Sequence, residues 1–135
     1  MRLAGLLLGL VLLAGLAVGA RNLTATDSDR AVRVAGGEPE RGRDTILREG
    51  CGTCHTIPGI RAADGKVGPP LTDFAERSFV AGELPNTPPS LIRWLLGPQE
   101  VEPGTAMPDL GLSRQAAADV AAFLYTLGSR DRSDR

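Results

Sequence analysis

Cys51-Gly52-Thr53-Cys54-His55 is the most informative run of this 135-residue chain, and the other segments take their meaning from it. Two thiols stand three positions apart and an imidazole follows at once. On one helical turn, residues at i and i+3 lie on the same face, so both sulfurs can meet one partner. A structural zinc site wants four Cys or His ligands. This chain offers three, since His55 is its only histidine and Cys51 and Cys54 its only cysteines, so zinc would have to borrow a carboxylate or water. A redox dithiol uses the same gap but belongs at a strand-to-helix junction, and the flanking sequence shows no βαβ pattern. A disulfide across so short a loop contributes little.

The reading that uses all three side chains is covalent attachment of c-type haem. Cys51 and Cys54 form thioethers to the two vinyl groups of one porphyrin. His55 is then carried under the iron and supplies an axial nitrogen. A sixth ligand comes from His, Met, Cys or Tyr. Both cysteines are committed and no second histidine exists. Apart from the initiator, Met107 is the only methionine, and it sits in Gly104-Thr-Ala-Met-Pro-Asp109, a Pro-flanked loop and an odd place for core filler. By elimination Met107 is the second metal ligand. Tyr125 reads as a packing residue of the last helix, and Lys66 is a remote substitute.

Four helical stretches surround these groups. The first starts at Glu38-Pro39, with Pro suited to the first helical position, and stops at Gly50. Ile46 and Leu47 are its main apolar contacts. A short one covers Phe74 to Arg77. The third has Thr87 as N-cap and Pro88 at its start, runs through Leu96, and is closed by Gly97 with Pro98 forbidding continuation. The fourth is capped by Ser113; Val120, Phe123, Leu124 and Leu127 recur at helical spacing before Gly128. No segment alternates well enough to predict a strand. The connections Cys54–Leu71, Phe79–Thr87 and Gly97–Leu112 are long for a small domain, and a group that they wrap around would account for them.

Residues 3–20 carry no charged or strongly polar side chain and follow Arg2. They read as an N-terminal hydrophobic helix, either a membrane anchor or a cleaved signal peptide. Both readings export the rest to the periplasmic side of a bacterial inner membrane, with Arg2 left inside. Residues 21–36 read as a flexible tether, 37–128 as the folded domain and 129–135 as a charged tail.

The chain is 42% hydrophobic but only 4% aromatic, with 17 Gly and 10 Pro. So small and aromatic-poor a domain needs something besides its own side chains at its centre. The net charge of −1 argues against nucleic-acid binding, which leaves a basic footprint. Leu47, Ile57, Leu71, Phe74, Leu91, Trp94, Leu95, Leu110, Phe123 and Leu124 are the candidates for packing against the cofactor or between helices.

From Gly37 to Gly128 the sequence resembles the class I cytochrome c family. The matching segments are the Cys51–His55 pentapeptide, Gly68-Pro-Pro-Leu71, Trp94 within Leu91–Pro98, Pro103-Gly-Thr-Ala-Met-Pro108 and the closing amphipathic helix. More narrowly, it looks like the single-haem cytochromes that accompany bacterial respiratory oxidases. The resemblance implies an all-α fold, a small helical domain wrapped around one covalently bound haem c. It implies that the Pro69 carbonyl accepts a hydrogen bond from His55. It implies that Arg77 holds a haem propionate, where the plainer reading is a solvated surface arginine. Trp94 would pack near the methionine ligand. Gly42 would let the first helix cross the last closely, against Val120 and Phe123, although one extra residue separates Gly42 from Cys51 relative to mitochondrial members. The family's surface lysine ring is missing, since Lys66 stands alone.

The function expected from these residues is one-electron transfer without catalysis of its own. The expected partners are a quinol-oxidising complex on one side and a terminal oxidase or reductase on the other. The alternative is a haem-based gas or redox sensor in which Met107 is labile.

Overall fold

The computed structural model describes residues 36–128. Helix α1 (Pro39–Arg48) opens with proline at its first position, where a backbone N–H has no helical acceptor to lose. It ends at Arg48; Glu49 is the C-cap, and Gly50 turns the chain with a positive φ of 69°. A 3₁₀ turn over Cys51–Thr53 follows directly. A second 3₁₀ turn, Phe74–Glu76, stands where the short helix was expected. Helix α2 (Pro88–Leu96) is capped by the Thr87 side chain, which accepts from the Ser90 N–H. A single-turn helix, α3 (Pro98–Val101), comes next. Helix α4 (Arg114–Leu124) is capped by Ser113 through the Ala116 N–H at 3.2 Å.

The expected fold class needs correction. The described domain is mostly helical rather than all-α, because β1 (Phe79–Val80) and β2 (Leu84–Pro85) pair antiparallel, Val80 opposite Leu84 and Phe79 opposite Pro85. Strands of two residues are too short to show an alternation. What makes the hairpin is its turn: Ala81 and Gly82 both have positive φ, and the Glu83 N–H closes on the Val80 carbonyl at 3.1 Å. As expected, α2 stops at Leu96 with Gly97 as its C-cap, and Pro98 does not continue it. Pro98 starts α3, where its missing N–H is harmless.

α1 lies across α4 in the main helix–helix contact, and α2 packs on α4 as well. Gly42 makes the crossing close: a Cβ there would collide with the Asp119 carbonyl and stand 3.0 Å from the Phe123 Cβ. The neighbour is thus the Asp119 backbone rather than Val120. Alanines 117, 118, 121 and 122 keep this face of α4 flat and are all buried. The core adds Ile46, Leu91, Trp94, Leu95, Val120, Phe123 and Leu124 to Ile57, Ile60 and Phe74 from the loops. Leu47, expected inside, is 47% exposed, because Ile46 takes the inward position of α1. The expected apolar helix of residues 1–20, the tether as far as residue 35 and the tail 129–135 lie outside the described residues. Among the described residues no helix is long and apolar enough to cross a membrane.

Candidate functional site

The Cys51–Thr53 turn is held by its own backbone: the Cys54 and His55 N–H groups both donate to the Cys51 carbonyl, at 3.2 and 3.0 Å. The following loop folds back on it. The Gly65 N–H reaches the Gly52 carbonyl at 3.1 Å, the Gly68 N–H the Cys54 carbonyl at 2.8 Å, and the Leu71 N–H the Thr56 carbonyl at 2.7 Å. These bonds account for much of the long Cys54–Leu71 connection, which is laced to the pentapeptide rather than free.

His55 Nδ1 lies 2.7 Å from the Pro69 carbonyl oxygen. A carbonyl only accepts, so Nδ1 carries the proton and the Nε2 lone pair is left for another partner. Gly68 closes against the ring, since a Cβ there would stand 2.7 Å from Nδ1 and 2.9 Å from Nε2. The imidazole is therefore fixed by one hydrogen bond and by a neighbour without a side chain.

A cavity of about 600 Å³ opens beside this histidine. All seven site residues expected from the sequence border it: Cys51, Cys54, His55, Pro69, Arg77, Trp94 and Met107. Its remaining wall is largely aliphatic and aromatic, with Ile46, Ile57, Leu71, Phe74, Leu91, Leu95, Leu110 and Leu124 among the contributors. Val67 and Phe79, both exposed apolar side chains, stand at its edge together with Glu49 and Glu102. Lys66 does not border it.

Cys51 and Cys54 are free thiols, both partly buried. Burial pushes the Cys51 thiol above its ordinary value. The Arg77 guanidinium donates to the Pro70 carbonyl and, at 3.0 Å, to the Thr72 carbonyl. It also stands over the Phe74 ring, 5.5 Å from its centroid. Burial lowers its pKa, although an arginine stays charged in any case. Met107 is partly buried against the core.

Two polar groups that support this wall escape a reading by sequence pattern. Gln99 binds the backbone of the Met107 loop through three hydrogen bonds. Asn86 donates to the Phe74 and Arg77 carbonyls at 2.9 and 3.0 Å and accepts from the buried Tyr125 hydroxyl at 3.0 Å. The hydroxyl pKa is pushed up by burial. Tyr125 also meets Phe74 edge to face, with ring centroids 5.8 Å apart. An isolated Gln after Gly-Pro carries no periodic or motif signal. Asn86-Thr87 reads only as a cap region.

The donor set suits one cofactor better than a bare ion. Two thiols, one imidazole nitrogen and one thioether border a single apolar cavity. Among the described residues no three His, Cys, Asp or Glu side chains cluster to hold a metal by themselves. A planar organic group that brings its own metal and bonds to sulfur fits both facts.

Comparison with known proteins agrees. The family model described as Cytochrome c matches residues 39–128. Cytochrome c oxidase subunit 2 of Alkalihalophilus pseudofirmus is 35% identical over 88 residues, which cover 64% of this chain and 25% of that protein. Cytochrome c oxidase subunit 2 of Bacillus sp. (strain PS3) is 33% identical over 66 residues, 47% of this chain and 18% of that protein. The chain thus spans about a quarter or less of the length of these relatives.

Proposed function

The chain belongs to the cytochrome c family, and we propose that it carries single electrons toward a terminal oxidase, with His55 and Met107 as the residues that would ligate the iron of its haem. The family binds haem c covalently, and Cys51 and Cys54 stand where the two thioethers form. When bound, haem c supplies one iron that alternates between ferrous and ferric states.

The protein's own contribution is selection and fixation of the ligands. The observation that carries the reading is that His55, locked by Pro69, and Met107 border the same cavity. His55 offers Nε2 while the Pro69 carbonyl holds Nδ1–H, which fixes the tautomer and makes the ring a better donor. Met107 offers a thioether, a soft ligand that favours the ferrous state and raises the potential. The aliphatic wall keeps water away, which again disfavours the more charged oxidised form. His55 and Met107 together would hold the iron from the protein side and leave no place for a substrate to bind it, which suits an electron carrier. Arg77, anchored to two carbonyls at the wall, is suited to pair with a propionate.

The named relatives support the choice of partner, since both are oxidase subunits that share this domain with the chain. The exposed Val67 and Phe79 at the cavity edge give an apolar docking rim, in keeping with a weak, short-lived encounter. A quinol-oxidising complex is the matching donor. The apolar run of residues 3–20 supports a place on the periplasmic side of the inner membrane, anchored or released.

Met107→Ala is the decisive variant. It should abolish the weak long-wavelength band of iron–thioether coordination in the oxidised protein, lower the reduction potential, and let carbon monoxide bind the reduced form quickly. An unchanged potential would identify some other residue as the ligand. Fast binding of carbon monoxide by the unaltered protein would favour a gas-sensing module instead.

A further inference from the structure

Gln99 directs three side-chain hydrogen bonds to the segment that carries Met107. Its Nε2 donates to the Thr105 carbonyl at 2.8 Å and to the Met107 carbonyl at 2.9 Å, and its Oε1 accepts from the Gly104 N–H at 3.2 Å. A side-chain amide has two N–H donors, and both are used here. Among the described residues, the only other hydrogen bond reaching residues 104–110 runs from the Thr105 N–H to the Glu102 carbonyl at 3.1 Å. Pro108 has no N–H to give and disfavours helical backbone at the residue before it, Met107. The loop therefore has no strand or helix of its own, and one half-buried side chain on α3 stands in for a ladder.

We propose that Gln99 is a positioning residue that keeps Met107 at the cavity wall and so decides how readily an outside ligand can displace it. This rests on Met107 being the axial ligand. A methionine side chain has three rotatable bonds and adapts easily. Its retention depends on the backbone that carries it, and that backbone is tied down at residues 104, 105 and 107 by the same amide. Removing the amide leaves two carbonyls and one N–H to water and frees the loop to swing out. With Gln99 in place the structure is that of a carrier. Without it, the same chain would behave as a ligand-binding haem protein.

The test uses the full haem-loaded chain and four variants: Gln99→Ala, Gln99→Glu, Met107→Ala and Ser113→Ala. Gln99→Glu keeps the length and the acceptor but, ionised, offers no proton to the two carbonyls. Carbon monoxide is the probe, with its association rate to the reduced protein as readout, beside the long-wavelength band, the potential and hydrogen exchange over residues 103–110. Both Gln99 variants should bind carbon monoxide at least about tenfold faster than the unaltered protein, weaken the band and raise exchange in that segment alone. Ser113→Ala, which loosens a helix cap elsewhere, should lower the melting temperature and leave the association rate unchanged. If both Gln99 variants bind no faster while Met107→Ala binds fast, the positioning role is overturned and the ligand assignment stands. If Met107→Ala also keeps the band and the slow rate, the assignment of Met107 falls and the role of Gln99 with it. Should Gln99→Ala fail to fold, Gln99→Glu and protection of the Gly104 amide in the unaltered protein decide the matter.

Discussion

Asp119 is buried and is held as a carboxylate by its hydrogen-bond partners. Desolvation pushes its carboxyl up, but bonds from the Arg41 guanidinium, the Glu38 N–H and the Gln115 amide outweigh that and hold it below the usual aspartate value. The sign for stability follows from linkage. A carboxyl whose folded pKa is depressed stabilises the fold above its ordinary value and loses that contribution as pH falls through the lowered one. Acid should therefore loosen the α1–α4 contact from about pH 4 downward. Asp119→Ala should cost about 2 kcal/mol at neutral pH and flatten the acid limb of a melting-temperature profile. An unchanged limb would show that other carboxyls dominate. This latch could not be read in the sequence. An aspartate in a helix usually faces water, and its partner Arg41 stands 78 positions away. Cys51, Cys54 and His55 are the opposite case, because their chemistry lies in five consecutive residues.

At the scale of elements, the ends of helices were legible and the small connectors were not. Thr87 and Ser113 both cap as their residue types demand. Ser113→Ala should remove about 1 kcal/mol from the folded state, measured by denaturant midpoint with the slope unchanged. A loss near zero would mean that water replaces the cap without cost. The β1–β2 hairpin and α3 escaped because each spans only two to four residues, and periodicity needs a longer window. Yet these minor pieces support the site. Phe79 of the hairpin borders the cavity, and α3 carries Gln99.

Across the whole molecule, a cavity of about 600 Å³ runs through a domain of some ninety residues. Protein interiors are close-packed, so a group that fills a space of this size supplies a large share of the contacts that stabilise so small a core. The bound haem thus completes the packing as well as the chemistry. Replacing both cysteines by alanine, so that the polypeptide is made without attached haem, should give a chain with little fixed structure. Calorimetry should then show no cooperative transition. A sharp melt close to that of the loaded protein would show that the helices suffice by themselves. The scarcity of aromatics in the sequence already pointed this way, and the long loops pointed to a wrapped group. What the sequence concealed was the polar carpentry behind the wall, since Gln99, Asn86 and Tyr125 act through backbone atoms brought near by the fold.

The half-buried Cys51 thiol also bears on how the protein is made. Sulfur attacks as thiolate, and burial of Cys51 disfavours that form. The finished shape is a poor reactant for its own synthesis. Attachment is best done while the polypeptide is still slack and both sulfurs are wet, with the helices tightening afterwards around a graft that can no longer be withdrawn.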